Sequence, residues 1–229
     1  MTIGCIIQAR MDSTRLPGKV MKKIDKNHTL LQFQIEQLKN CKKIDKIVIA
    51  TTTESEDGTI CQHIIELGLD VFRGKSDDVL DRYYNCAKKF NFSIIIRITS
   101  DNPLIDPYLV DNIISEFKKE SFDYVSNIIC RTFPHGTETE IFTFDALEKS
   151  WKESDNQYDR EHVTPYMYNN PKIFKIHNVE NKIDLSELKW TVDTNSDLDK
   201  VKKIVSKIKK RPIKTEDITK IYSQINNVN

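Results

Sequence analysis

The sequence has no long apolar run and no surplus of charge of either sign. None of its hydrophobic stretches approaches the roughly 20 residues that a membrane-spanning helix needs, so we expect no membrane partner. Lys and Arg total 35 and Asp and Glu total 34, which gives a net charge of +1. Because nucleic-acid-binding proteins usually carry a basic surface, this balance argues against a nucleic-acid partner. Any anion site must therefore be built locally.

Cysteine pairs and a leader segment are also missing. The five cysteines are scattered, odd in number and without a C-x-x-C pair. This pattern is typical of reduced thiols and argues against a disulfide framework or a zinc site. The first residues, TIGCIIQAR, lack the basic segment and apolar core of a signal peptide. We therefore expect a cytoplasmic protein.

The spacing of apolar residues predicts an α/β fold. Strands are predicted at 3–7, 46–50, 70–72 and 93–98, and helices at 30–39, 57–67, 79–90 and 107–119. This alternation indicates a Rossmann-like, mostly parallel sheet flanked by helices. Because ligands bind such sheets beyond the carboxyl ends of the strands, the loops after Ile7, Ala50 and Ile98 are the expected site.

The pattern changes after about residue 123. Strands are predicted at 124–128, 138–144 and 174–179, with helices at 144–152 and 160–168. We interpret about 123–180 as a segment that extends the sheet and forms a lid or dimer arm within a single domain of 229 residues. The chain then closes with 190–193 and a helix over 196–209.

The loop after the first strand concentrates groups that bind phosphate. It reads QARMDSTRLPGK from Gln8 to Lys19, with two arginines, a lysine, two hydroxyls and a glycine. Phosphates are held by such a set of turn N–H groups, hydroxyl donors and fixed cations. The loop is not a Walker A motif, because G-x-x-x-x-G-K-[ST] is absent. Its position after a buried strand favours a phosphate site over a solvated turn.

The run from Arg10 to Lys19, R-x-x-S-T-R-L-P-G-K, resembles the signature of the cytidylyltransferases that make CMP-sugars, above all their SpsF-like branch. The resemblance covers nearly the whole chain and implies the nucleotide-diphospho-sugar transferase fold. It implies that Arg10 and Lys19 hold the triphosphate of CTP. The supporting residues would be Ala9, Ser13, Thr14 and Arg15. Gln8 replaces the proline usual in CMP-Kdo synthetases, which weakens any claim for Kdo itself.

Asp101 is a candidate ligand of Mg²⁺, because it directly follows a buried strand in the run TSDNP. The alternative is that Asp101 caps the next helix. The resemblance implies the metal role, since Asp101 occupies the acidic position of a G-D-x-P-like turn. It also implies Asp193 as the second carboxylate, from the D-T-x-x-D-L-like run after Trp190. The catalytic residues would then be Arg10, Lys19 and Asp101, whereas we interpret Asp197 as a helix cap.

The segment FRGKSDDVLDRY, residues 72–83, opens a helix after the third strand. Arg73 could donate to a pyrimidine carbonyl, and the resemblance places base recognition near this segment, with Ser76 as a further candidate contact of the nucleotide. Capping of the helix by Ser76 or Asp78 is an alternative. Asp81 and Arg82 resemble an S-G-T-D-R-type element that lacks its glycine and threonine, so a structural role is as well supported.

Two polar clusters in the later segment are candidate acceptor contacts. His135 and Glu138 lie in the run RTFPHGTETE, and Arg160 and His162 lie in DREHVTPY. The R-E-H run recurs in the SpsF-like branch, and Arg160 with His162 could bind an acceptor carboxylate. A lone histidine is often only structural, so this role stays open.

These features predict a homodimeric enzyme that transfers CMP from CTP to a sugar-type acceptor, such as a 2-keto sugar acid, with release of pyrophosphate. One alternative is an enzyme whose nucleophile is a sugar phosphate or polyol phosphate, although the usual G-x-G-T-R loop is absent. Another is a non-catalytic nucleotide-binding homologue. The loop from Gln8 to Lys19, called the phosphate loop below, is retained together with Asp101 and Asp193, which argues against that alternative.

Overall fold

Seven strands form one mixed sheet in residues 1–226, the part of the chain that the computed structural model describes. The strands are β1 (Ile3–Gln8), β2 (Lys46–Thr52), β3 (Asp70–Gly74), β4 (Ile94–Thr99), β5 (Tyr124–Ser126), β6 (Glu140–Thr143) and β7 (Ile176–Asn178). Their order is β3-β2-β1-β4-β6-β5-β7. The first four are parallel, and β6 runs antiparallel to both of its neighbours. The predicted mostly parallel α/β sheet is confirmed.

Helices cover both faces of the sheet, which explains why β1 and β4 are apolar almost throughout. On one face lie α1 (Leu30–Leu38), α2 (Gly58–Glu66) and α4 (Pro107–Phe117); on the other lie α3 (Val79–Lys89) and α5 (Phe144–Glu153). Ile3, Cys5 and Ile7 pack into the first core, and Ile6 packs into the second. This alternation follows from the two-residue period of a strand.

The segment 123–180 supplies β5, β6 and β7 at one side of the sheet, together with α5, α6 (Gln157–His162) and α7 (Pro165–Tyr168). The continuous helix predicted over 160–168 is wrong. Val163 breaks it, because this buried residue has φ 74° and the N–H of Thr164 donates to the carbonyl of His162. A β-branched residue at positive φ is a genuine outlier, and this backbone conformation ends α6 at His162.

Residues 189–193 bring the last part of the chain back to the sheet, and we call them the returning segment. Residues 190–193 form no regular strand; the segment is held by a bridge between His135 and Lys189 and by the N–H of Val192, which donates to the carbonyl of Asp101. Two helices follow, α8 (Asn195–Lys207) and α9 (Thr215–Asn226), and the sequence did not predict the second. Asp197 forms a capping box with Thr194, as predicted. Across residues 1–226 no helix is long and apolar enough to span a membrane.

The register of the central strands brings three loops to one edge. Gln8, the last residue of β1, pairs with Ala50 on one side and with Thr99 on the other. The loops that begin at Ala9, after β2 and at Ser100 therefore leave the sheet at one level. This edge holds the site.

Gly136 supports the returning segment, and its replacement tests this contact. Its φ is 110°, and an added Cβ would overlap the indole ring of Trp190. We expect Gly136→Ala to lower the free energy of unfolding by at least about 2 kcal/mol, from backbone strain and overlap together. Gly58→Ala is the matched control, since a Cβ at Gly58 meets open space at the start of a helix. Urea unfolding of both variants measures the difference, and equal stabilities would contradict the packing described.

Candidate active site

A polar cavity of about 530 Å³ opens at the carboxyl ends of β1 and β4. The structure gathers ten of the predicted residues around it: Ala9, Arg10, Ser13, Thr14, Arg15, Lys19, Ser76, Asp101, His162 and Asp193. They come from the loop after β1, the connection before α3, the end of β4, α6 and the returning segment. Sequence positions separated by more than 180 residues thus meet in one cavity.

Asp57 holds the start of the phosphate loop. Its buried carboxylate accepts from the N–H of Met11 (2.7 Å), from the hydroxyl of Thr51 (2.8 Å), and from both the N–H and the hydroxyl of Thr52 (3.1 and 2.6 Å). Burial raises the pKa of Asp57, but these hydrogen bonds outweigh it and hold the pKa below its ordinary value. Gly18, at φ 66°, closes the loop by donating to the carbonyl of Met11 (2.8 Å). Asp57 thereby fixes the residue that follows Arg10.

Lys19 lies between the two carboxylates predicted to bind metal. Its Nζ is 3.4 Å from Oδ2 of Asp101, 3.2 Å from Oδ1 of Asp193, and 2.8 Å from the carbonyl of Val192. Arg15 Nη2 (2.9 Å) and Lys189 Nζ (3.3 Å) also contact Asp193. Burial raises the pKa of Asp193, but Lys19 and the other cations hold it below its usual range. Both aspartates are therefore brought together by positive charge.

The two aspartates suit a metal ion that is shared with phosphate. Oδ1 of Asp101 is buried and finds no hydrogen-bond partner among the described residues, so it can take a further ligand. Within residues 1–226 no group of three or more His, Cys, Asp or Glu forms a complete metal cage. Mg²⁺ is typically held by one or two carboxylates plus substrate phosphates, which fits this pair. The capping alternative for Asp101 is wrong, because Asp106 caps α4.

A second, smaller cavity of about 280 Å³ lies on the far side of the aspartate pair. Asp101 and Asp193 line both cavities, and His135, Glu138 and Lys189 line only the second. Two of the four predicted acceptor contacts are therefore close to the aspartates but separated from His162. The aspartate pair forms the junction between the two cavities.

Glu138 organises the wall of this second cavity. Its carboxylate accepts from Nη1 of Arg131 (2.7 Å), Nδ2 of Asn102 (3.0 Å) and the N–H of Gly136 (2.8 Å). Burial raises the pKa of Glu138, but the His135 hydrogen bond and the Arg131 charge hold it below its ordinary value. With its charge compensated, Glu138 gives the cavity a rigid polar wall.

Comparison with known proteins decides the family. A sequence profile described as Cytidylyltransferase matches residues 4–226. The chain belongs to the cytidylyltransferase family. The spore coat polysaccharide biosynthesis protein SpsF of Bacillus subtilis is 34% identical over 219 residues, covering 90% of this chain and 88% of that protein.

Solved structures agree with this assignment. A cytidylyltransferase from Leptospira borgpetersenii superimposes with a TM-score of 0.95 and 34% identity, covering 99% of this chain and 96% of that one. A CMP:2-keto-3-deoxy-manno-octonic acid synthetase complexed with CTP superimposes with a TM-score of 0.69 over 90% of this chain and 99% of that one. At 16% identity, this second likeness shows the shared cytidylyltransferase fold alone.

The structure gives Arg73 a different position from the one predicted. Its Nε donates to the carbonyl of Thr52 and its Nη2 to the carbonyl of Glu54, both at 2.8 Å. In the region that the structure describes, Arg73 lines neither of the two cavities. The predicted contact with the base is not supported; Arg73 instead fastens the end of β3 to the connection after β2.

Arg160 also has a supporting position. Its guanidinium makes a two-pronged ion pair with Asp78, the N-cap of α3, with contacts as short as 2.5 Å, and donates to the carbonyl of Trp151 (2.8 Å). The predicted grip of Arg160 on an acceptor carboxylate is therefore corrected, because its hydrogen bonds tie α6 to α3. Glu161 and His162 on the same helix line the first cavity instead.

Two further arginines line the first cavity, Arg82 and Arg97, and the sequence analysis assigned neither to the site. Arg82 is 2% exposed, donates from Nη1 to the carbonyl of Lys75, and has an Nε without a partner in the described chain. Burial lowers the pKa of Arg82. Arg97 pairs with Glu140 across β4 and β6. The resemblance of Asp81-Arg82 to a family element pointed to Arg82. Nothing in the sequence pointed to Arg97, because its strand is apolar on both faces and does not show which face the arginine occupies.

Removal of the Asp57 charge should weaken the fold in a pH-dependent way. The folded-state pKa of Asp57 is lowered, so its stabilisation is fully present above the unfolded pKa near 4 and is lost as pH falls through the lowered value. We expect Asp57→Asn to cost about 1–3 kcal/mol at pH 7 and less near pH 3. Urea unfolding at the two pH values measures this, with Glu54→Gln, an exposed neighbour, as control. A loss of stability that does not depend on pH would contradict the lowered pKa of Asp57.

Proposed function

We propose that this cytidylyltransferase transfers CMP from CTP to a hydroxyl of a sugar acid and releases pyrophosphate. The observation that carries the proposal is the aspartate pair at the junction of two polar cavities, one lined by the phosphate loop and the other by His135 and Lys189. A reaction between a triphosphate and a second substrate needs both to meet at one point.

The first cavity suits a nucleoside triphosphate. Arg10 and Lys19 provide positive charge, and Ser13 and Thr14 provide hydroxyl donors along the same loop. Ser76 faces the loop across the cavity, so the base would lie between the 9–14 and 73–78 segments. The family membership and the CTP complex of a protein with the same fold support CTP as the nucleotide.

Positioning and charge stabilisation suffice for the proposed reaction. The acceptor hydroxyl would attack the α-phosphorus in line with the leaving pyrophosphate, whose growing charge Arg10 and Arg15 would stabilise. Mg²⁺ held by Asp101 and Asp193 would supply further neutralisation of phosphate charge. Asp57 holds the loop backbone at Met11, next to Arg10, so this part of the loop would not need to rearrange during the reaction.

The second cavity suits an anionic, hydroxyl-bearing acceptor. Lys189 is 41% exposed, and the bridge between His135 and Lys189 brings these two residues to the same wall. A carboxylate or a phosphate could bind there, so a sugar-phosphate or polyol-phosphate acceptor remains the second candidate. The role of the relative SpsF in spore coat polysaccharide biosynthesis supports a product used for a surface polysaccharide or related glycan.

A cytoplasmic homodimer stays a prediction. The 123–180 segment exposes apolar side chains of Ile129, Tyr158 and Ile173, each at least 41% accessible in the isolated chain. We expect light scattering coupled to size-exclusion chromatography to give twice the mass of 26.7 kDa. A mass that stays at one chain over a tenfold concentration range would reject the dimer.

Loss of either aspartate should remove most activity. Asp101→Asn and Asp193→Asn each remove a charge that the metal ion and Lys19 need, so we expect kcat to fall at least about a hundredfold at saturating Mg²⁺. Asp199→Asn, an exposed neighbour on α8, is the control and should keep normal turnover. Pyrophosphate release reports the rates, and near wild-type turnover in either variant would make the metal assignment wrong.

Nucleotide choice tests the proposed reaction most directly. A small pyrimidine pocket excludes purines by size, and an acceptor facing N4 of cytosine is left unpaired by uracil. Such a loss costs roughly 1–3 kcal/mol, so we expect CTP to be preferred over UTP about tenfold to a hundredfold. Pyrophosphate release should be followed for all four nucleoside triphosphates against panels of sugar acids and sugar phosphates. Equal turnover of CTP and UTP, or a preference for a purine nucleotide, would contradict the proposal.

A further inference from the structure

The Lys19 ammonium lies between Oδ2 of Asp101 and Oδ1 of Asp193, two oxygens that a metal ion bridging the aspartates could use. It has three donors, and three oxygens surround it: Oδ2 of Asp101, Oδ1 of Asp193 and the carbonyl of Val192. The side chain is only 13% exposed. These oxygens are hard anionic and carbonyl ligands, which suit Mg²⁺ as well as an ammonium.

An ammonium and a divalent ion cannot occupy this space together. Mg²⁺ requires oxygen ligands at about 2.1 Å, whereas the Nζ of Lys19 already lies 3.2 and 3.4 Å from the two carboxylates. Lys19 must therefore move before a metal ion can bind Oδ2 of Asp101 and Oδ1 of Asp193 together. The displaced ammonium needs another anionic partner, since a half-buried cation without one is costly.

A triphosphate in the first cavity would be such a partner. The backbone of Lys19 is fixed on the short 3-10 turn Lys19–Met21, directly after Gly18. Its side chain lines the first cavity together with Arg10, Ser13 and Thr14, the groups proposed to hold a triphosphate. A triphosphate in that cavity would give the ammonium new oxygens without any change of the backbone.

We propose that Lys19 occupies the metal position in the nucleotide-free protein, so that metal binding depends on the arrival of the triphosphate. The inference rests on the proposed function. Free protein then binds divalent ions weakly, and the metal ion enters with the nucleotide or after it. The ordering prevents a bound metal ion from holding the site before the substrate arrives.

The test measures Mn²⁺ binding to nucleotide-free protein, because Mn²⁺ takes the same oxygen ligands as Mg²⁺ and its free form gives an electron paramagnetic resonance signal. Lys19→Met keeps the length of the side chain and removes its charge. We expect this variant to bind Mn²⁺ at least tenfold more tightly than the wild type, and the double variant Lys19→Met, Asp101→Asn to lose the gain.

Lys189→Met is the matched control. Lys189 contacts the same Asp193 at 3.3 Å but lies on its Oδ2 side and lines the second cavity. The variant removes one positive charge near the aspartate without vacating the Lys19 position, so we expect less than a threefold change. Equal tightening in both lysine variants would overturn the inference, because general electrostatics would then explain the gain.

Two further outcomes separate this inference from the proposed function. If the wild type binds Mn²⁺ as tightly as Lys19→Met, and Asp101→Asn abolishes binding, the metal site stands and the Lys19 inference falls. If no variant shows binding that depends on Asp101 or Asp193, both fail. A second readout, the rise of melting temperature with Mn²⁺, should be large for Lys19→Met and small for the wild type; Lys19→Gln replaces Lys19→Met if that variant does not fold.

Discussion

The ion cluster of Lys19, Asp101 and Asp193 is the contact on which the site depends. Its members come from the loop after β1, the loop after β4 and the segment before α8, separated by 82 and 174 residues. Two carboxylates in a largely enclosed place repel one another unless a cation lies between them. Lys19 supplies that cation and thereby holds the returning chain against the sheet edge. The same charges that hold the fold together here are those proposed to bind the triphosphate and the metal ion.

The phosphate loop is held rigid by a carboxylate behind it. Asp57 carries a negative charge close to the loop proposed to bind phosphate, and an exposed charge there would weaken anion binding. The carboxylate is instead buried under four hydrogen bonds, so it acts on the backbone of Met11 rather than on the ligand. In the proposed reaction, a loop backbone that is already ordered would not need to rearrange as charge develops.

The hydrogen-bond acceptors near each arginine indicate whether it connects elements of the fold or is available to a ligand. Arg73 and Arg160 meet backbone carbonyls or an aspartate, and their hydrogen bonds connect neighbouring elements. Arg82 has one backbone carbonyl and an unpartnered Nε in the described structure while lining the first cavity. A buried guanidinium with unused donors is the one that a bound anion can stabilise.

The sequence by itself determined the alternation of strands and helices and the chemistry of the loop from Arg10 to Lys19, because periodicity and a dense set of donors are local properties. Asp101 and Asp193 were accessible through the motif resemblance. Tertiary structure alone decided that Arg73 and Arg160 support the scaffold, that Val163 breaks a predicted helix, and that Asp57 holds the loop. Each of these depends on a partner far along the chain or on a backbone angle, such as the 82 residues between Asp78 and Arg160. A side chain's role follows from the acceptor it meets, and only the folded chain brings the two together.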